Sequence, residues 1–264
     1  MSRGMVVRIA ALILAMAAAL GIASSEPAAG ARSEVGSLTL SAALKFSGSP
    51  ATCPPQAIGA NECFQVAGNS VVPGLGRVSE SFVVTLVNNA PGCSNTSSYR
   101  VLGFPIRLNV AGKGAIDLAV ADSAECLTVQ GVQRLSRPFT VTGGTGPYAT
   151  ATGGGMFVRN FIGAQGTDTW TGTLVVPGLE FNLTAPTIRG AVSKTVRAPK
   201  GARRARVTYA VAAEDDRNGR VPVSCTPKSG ARFKIGRTKV NCSATDGDGN
   251  RQTATFVVRV LKTR

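Results

Sequence analysis

Hydrophobic and polar residues alternate along most of this chain. Apolar, β-branched or aromatic residues at every second position predict strands with one buried face. The pattern places them at about Leu38–Phe46, Ser79–Val87, Tyr99–Val110, Ala115–Val120, Glu125–Val129, Phe139–Thr142, Gly154–Asn160 and Asp168–Val176. Breakers such as Asn88-Asn89-Ala90-Pro91-Gly92, Gly112-Lys113-Gly114 and Pro177-Gly178 separate them. No stretch presents a convincing helical face. Eight strands at regular spacing predict an antiparallel eight-stranded barrel or sandwich. A tighter set follows at Ala191–Val196, Ala205–Ala212, Val221–Ser224, Arg232–Ile235, Thr238–Thr245 and Gln252–Leu261. Short strands at that density predict a two-sheet β-sandwich. The fold class expected is therefore all-β.

The first residues carry a different pattern. Arg3 and Arg8 precede an unbroken apolar run, Ile9–Leu20, and small residues follow. A positive start, a short apolar core and small residues beyond it predict a secretory signal peptide over 1–31, cleaved after Ala23 or Ala31. The run is too short for a comfortable membrane span, and no later segment is apolar enough to make one. Export places Cys53, Cys63, Cys93, Cys126, Cys225 and Cys242 in an oxidising space, where an even count reads as disulfides. Six cysteines allow 15 pairings. Pairing within each predicted domain favours Cys53–Cys63, Cys93–Cys126 and Cys225–Cys242.

Charge divides the chain. Residues 32–186 hold nine Lys and Arg against eight Asp and Glu, whereas residues 187–264 hold 18 against five. That asymmetry predicts one domain over 32–184 and a strongly basic one over 185–264.

The basic segment resembles the hyalin-repeat (HYR) family, an immunoglobulin-like domain of extracellular proteins. The residues that carry the resemblance are Val207-Thr208-Tyr209, Ala213-Glu214-Asp215, Val221-Pro222-Val223-Ser224-Cys225, Pro227, Ser229-Gly230 and Phe233. Gly236, Thr238, Val240 and Cys242 follow, then Ala244-Thr245-Asp246, Gly249-Asn250 and Phe256-Val257-Val258. The resemblance implies an adhesion or interaction module without catalytic residues. In the first domain, Phe139–Gly155 looks like the glycine hairpin of the allene oxide cyclase and dirigent β-barrels. That likeness implies a barrel that holds a small apolar ligand, but no residue maps onto their catalytic acid.

Candidate chemistry is sparse. The chain has no histidine, which removes the usual general base and Ser-His-Asp chemistry. The carboxylates Glu62, Glu80, Asp117, Asp122, Glu125, Asp168 and Glu180 are scattered, and surface solubility accounts for them. Gly143-Gly144-Thr145-Gly146 lacks the lysine and following helix of a phosphate loop and predicts a tight hairpin. Asp246-Gly247-Asp248-Gly249-Asn250 offers three oxygen side chains at alternating positions but no bidentate glutamate at position 257. An Asx-rich turn and a calcium loop both remain open there. Trp170, the single tryptophan, lies in an alternating strand and belongs in the core. No cofactor and no resident metal are expected.

The leading expectation is a secreted or cell-surface, non-enzymatic interaction protein. Its basic face would include Arg203, Arg204, Arg206, Lys228, Arg232, Lys234 and Arg237. Its partners would be a protein or an anionic surface polymer. Sequence-specific nucleic-acid recognition is not expected, because there is no recognition helix and no cluster of stacking aromatics. The alternative is a small apolar-ligand binder or isomerase built on the barrel, which needs an accessible apolar cavity with a buried polar group.

Overall fold

The computed structural model describes residues 33–55, 62–88, 93, 98–122, 126–128 and 133–263. The expected signal peptide and Glu125 lie outside them. Ten strands make up the first part: β1 (Ser33–Pro50), β2 (Glu62–Val72), β3 (Gly76–Asn88), β4 (Ser98–Val101), β5 (Phe104–Val110), β6 (Gly114–Val120), β7 (Leu127–Thr128), β8 (Gln133–Thr145), β9 (Thr152–Ile162) and β10 (Gln165–Asn182). Eight of them close into an antiparallel ring, β1-β10-β9-β8-β6-β5-β3-β2, in which β2 pairs back onto β1. Closure leaves no edge in the ring. β4 pairs with the end of β3, and β7 pairs with β4.

Alternation decides which residues point inward. In β5, Phe104, Ile106, Leu108 and Val110 are buried while Pro105, Arg107 and Asn109 are exposed. The core continues through Leu38, Leu40, Phe82, Phe139, Phe157 and Trp170. Trp170 is fully buried, with its ring 4.4 Å from that of Phe157 and 5.1 Å from that of Phe139.

Eight strands were expected and eight close the ring, but the two sets differ. β2 was not foreseen. Its sequence contains Gly68-Asn69-Ser70, which reads as a breaker. Gly68 is there for space: a Cβ at that position would lie 2.7 Å from Glu80 Oε1. The expected strand Tyr99–Val110 breaks at Leu102-Gly103 into β4 and β5, where the Asp122 carboxylate accepts the Gly103 N–H. Of Glu125–Val129, only Leu127–Thr128 is a strand among the described residues. The Gly143–Gly146 segment connects β8 to β9 through a short 3-10 turn, Gly146–Tyr148. Gly143 and Gly146 there have φ of 133° and 60°.

Nine short strands follow: β11 (Thr187–Arg189), β12 (Lys194–Arg197), β13 (Arg204–Arg206), β14 (Ala212–Asp215), β15 (Gly219–Val221), β16 (Val223–Thr226), β17 (Arg232–Lys234), β18 (Gly236–Thr245) and β19 (Arg251–Leu261). They form three sheets, β11-β14-β15, β12-β19-β18-β16 and β13-β17. Phe233, Val240, Cys242, Phe256, Val258 and Val260 make their main core. The expected strand Ala205–Ala212 is interrupted. Ser229 Oγ accepts the Tyr209 N–H and donates to the Tyr209 carbonyl, so a side chain replaces the ladder there. Pro222 has no N–H to give and separates β15 from β16.

Three disulfides are present: Cys53–Cys63, Cys93–Cys126 and Cys225–Cys242. The third joins directly opposed residues of β16 and β18. No helix among the described residues is long and apolar enough to cross a membrane.

Candidate functional site

A charged cluster sits inside the barrel. Arg159 on β9 and Asp168 on β10 are cross-strand partners, and Glu80 reaches them from β3. Arg159 Nε and Nη2 donate to the two Asp168 oxygens at 2.7 and 2.5 Å. Only 6% of the Arg159 side chain and none of Asp168 is exposed. The Arg159 guanidinium also lies 4.3 Å from the centre of the Phe46 ring and 5.1 Å from that of Phe82. Trp170 Nε1 donates to Glu80 Oε2 at 3.3 Å.

Both Arg159 bonds go to Asp168, so Glu80 is a buried carboxyl beside an ion pair that is already matched. Burial pushes the Glu80 carboxyl up to about 9. The Asp168 charge and a hydrogen bond to Asp168 act in the same direction, against the weaker pull of Arg159 and Trp170. Glu80 therefore holds its proton at neutral pH. The expectation that Glu80 and Asp168 are scattered surface acids is corrected here. The sequence did carry the signal. Glu80 shares the inward parity of Val78 and Phe82, Asp168 that of Trp170, and Arg159 that of Phe157.

Beside the cluster the barrel core is not filled. A cavity of about 310 Å³ opens among Phe46, Phe64, Val84, Leu86, Leu135 and Phe161, and Arg159 lines it. It lies at the barrel end formed by the last residues of β1 and β3 and the β9–β10 turn.

The opposite end carries the Asp246–Asn250 loop. Asp248 accepts from Lys113 Nζ at 2.8 Å and from Asn182 Nδ2 at 3.0 Å. Lys113 also donates to the Leu75 carbonyl at 3.0 Å. Asn250 Nδ2 donates to the Asn182 carbonyl and to Asp246 Oδ2, at 3.0 and 2.9 Å. Glycine is required on both sides of this contact. A Cβ on Gly76 would sit 2.4 Å from the Gly247 carbonyl oxygen, and one on Gly249 would sit 2.3 Å from that of Val72. The Asp248 carboxylate is thus engaged in a clasp onto the barrel, while Asn250 holds the Asp246 carboxylate within the loop. Burial alone would raise the Asp248 carboxyl, but hydrogen bonds from Lys113 and Asn182 and the charges of Lys113 and Arg217 hold it below its ordinary value. Arg217 pairs with Glu180 across the same junction.

The remaining expected carboxylates play other parts. Asp117 pairs with Arg107 on the surface, and Glu62 accepts from Asn88 Nδ2 at the cavity rim.

The basic residues assemble on the smallest sheet. β13 and β17 place Arg204 opposite Lys234 and Arg206 opposite Arg232, while Ala205 and Phe233 between them point into the core. All four cations are therefore exposed on one face. Arg237 stands opposite Arg259, a residue the sequence reading did not single out. Arg203 adjoins this sheet, its carbonyl accepting the Ile235 N–H. Lys228 lies in the turn whose Gly230 N–H bonds the Val207 carbonyl. Among the described residues, none of these cations has an acidic partner within ion-pair distance.

Residues 182–260 match the HYR domain. The HYR domain thus contains the whole basic face and the acidic side of the clasp. No curated protein matches the chain, and the likeness of Phe139–Gly155 to allene oxide cyclase and dirigent barrels has no support in the comparisons. Among solved structures the chain is similar to "Protocadherin Gamma B2 extracellular cadherin domains 3-6", at 12% identity and a TM-score of 0.18, over 83% of this chain and 66% of that one.

Proposed function

We propose that this is an exported, non-enzymatic adhesion or interaction protein. In this reading residues 1–31 are a signal peptide, residues 32–184 a β-barrel domain and residues 185–264 the HYR domain. The HYR domain contacts an anionic surface or a protein partner through Arg203, Arg204, Arg206, Lys228, Arg232, Lys234 and Arg237. An HYR domain supports an adhesion-type role, and three disulfides fit an extracellular place of work.

The observation that carries the reading is the cationic ladder of β13 and β17. Like charges placed directly opposite each other in a sheet cost stability. Here two such pairs stand side by side, and among the described residues no acid offsets them. An anionic partner would convert that repulsion into binding energy.

The test is retention of the full chain on an anionic matrix across a salt series. Arg204→Glu, Arg206→Glu and Lys234→Glu together should abolish retention. They should also leave the fold intact, because each turns an exposed side chain outward. Retention that persists in the triple variant would show that this face is irrelevant. Retention that is already lost at about 150 mM salt, where screening acts beyond about 8 Å, would reduce it to unspecific ion exchange.

A further inference from the structure

The HYR domain and its clasp occupy one end of the barrel, and the cavity is at the other. The cavity's walls are mostly aromatic and aliphatic, with Glu62, Asn88, Tyr99 and Gln133 also lining it, and its volume of about 310 Å³ falls at the lower end of small-molecule sites, about 300–1,000 Å³. Its innermost polar group is Arg159. Two of the three guanidinium nitrogens are held by Asp168. Among the described residues, Nη1 donates no hydrogen bond. The side chain is 94% buried, and Nη1 is the guanidinium nitrogen left free to donate to whatever occupies the cavity that Arg159 lines.

Charge decides what can. The Arg159 cation is already matched by Asp168, and Glu62 adds a second carboxylate at the rim. An entering anion would face two negative groups and one positive group that is already paired. An entering cation would meet Arg159. An uncharged acceptor meets the Arg159 donor with no charge of its own to be opposed.

We propose that the barrel-end cavity binds a compact, uncharged apolar molecule carrying one hydrogen-bond acceptor, such as a carbonyl, which Arg159 Nη1 meets. The apolar walls supply the affinity and the guanidinium fixes the orientation. The Asp168 pair holds the guanidinium in place, and the Phe46 ring covers one of its faces.

The experiment uses the full chain and three related fluorescent probes. These are the uncharged naphthyl ketone prodan, its propyl analogue with a methylene in place of the carbonyl, and the corresponding naphthoate carboxylate. Prodan should bind saturably, one per chain, with blue-shifted emission. Loss of the carbonyl should weaken binding at least about tenfold, the value of one charge-assisted hydrogen bond. The carboxylate should bind more weakly than the ketone. Leu86→Trp, at a half-buried wall position, should fill the cavity and remove prodan binding while the unfolding midpoint stays near that of the unaltered protein. Absence of saturable prodan binding would overturn the proposal. So would equal binding of the probe without a carbonyl, carboxylate binding as tight as the ketone's, or unchanged binding to a folded Leu86→Trp protein. If Leu86→Trp fails to fold, the probe series on the unaltered chain decides alone.

Discussion

Replacing Glu80 by glutamine should stabilise this protein, and the gain should grow with pH. Glu80 is 1% exposed and sits among Trp170, Asp168 and Arg159. Burial raises its carboxyl from 4.5 to about 9. In the unfolded chain the same group ionises near its ordinary value. Between those two pH values the folded state holds one more proton than the unfolded state. Stability then falls with rising pH, by about 1.4 kcal/mol per unit. At pH 7 the accumulated cost reaches up to about 3 kcal/mol, and it keeps growing until the pH passes the folded value. Below the unfolded value the cost vanishes, because both states are protonated.

Glutamine has the shape of the protonated acid. Its carbonyl can accept from Trp170 Nε1 and its amide can donate to the Asp168 carboxylate. The Arg159–Asp168 pair stays intact. Glu80→Gln therefore removes the proton linkage and keeps the contacts. The assay is urea denaturation of both proteins at about pH 4, 5.5, 7 and 8.5, a range that spans the two ends of the linkage. The two should be close in stability at about pH 4 and diverge steadily above it, with the variant ahead. A variant that is less stable at about pH 8.5, or that differs by the same amount at every pH, would refute the reasoning.

Asp248→Ala should cost about 1–3 kcal/mol, since it removes the acceptor for both Lys113 and Asn182, and calorimetry should resolve separate unfolding of barrel and HYR domain. In the unaltered protein, the lowered Asp248 carboxyl stabilises the clasp above its ordinary value. That contribution should fade as acid carries the pH through the lowered value, which a thermal scan at falling pH reads directly. Cys225→Ser with Cys242→Ser opens a closed loop of 17 residues and should cost about 3 kcal/mol in chemical denaturation.

The all-β class and the interior of the barrel were legible because period-2 alternation maps directly onto burial. β5 shows this residue by residue. The ring's membership was less legible. β2 carries a glycine whose purpose is visible only when Glu80, 12 residues away, is placed against it across the β2–β3 pair. Strand breaks at Gly103 and Tyr209 depend on a side chain arriving from a distant loop, Asp122 in one case and Ser229 in the other. No local pattern encodes such an arrival. The acidic loop Asp246–Asn250 read as an Asx-rich turn, with a calcium loop as the alternative. Its partners Lys113 and Asn182 lie 135 and 66 residues away from Asp248. The cationic ladder was half legible. The density of Arg and Lys was plain, but the pairing of Arg204 with Lys234 exists only once the register is fixed.

Two features of this molecule spend stability without helping the fold. The barrel would pack as well around leucines as around Glu80, Asp168 and Arg159, since replacing a buried ionic group by apolar side chains is often neutral or favourable. The β13–β17 sheet would pair better with threonines than with four facing cations. Sequences that fold tend to avoid such local conflicts unless something outside the fold compensates for them. The two costs have opposite remedies. A buried donor beside an apolar cavity is relieved by a small acceptor that enters, whereas an exposed row of cations is relieved by an extended anion that stays outside. They are also in different modules. Prodan at saturation should therefore leave retention on the anionic matrix unchanged, and the triple charge reversal should leave prodan affinity unchanged. If either treatment altered the other's readout by more than about threefold, roughly 0.7 kcal/mol of coupling, the two sites would not be independent.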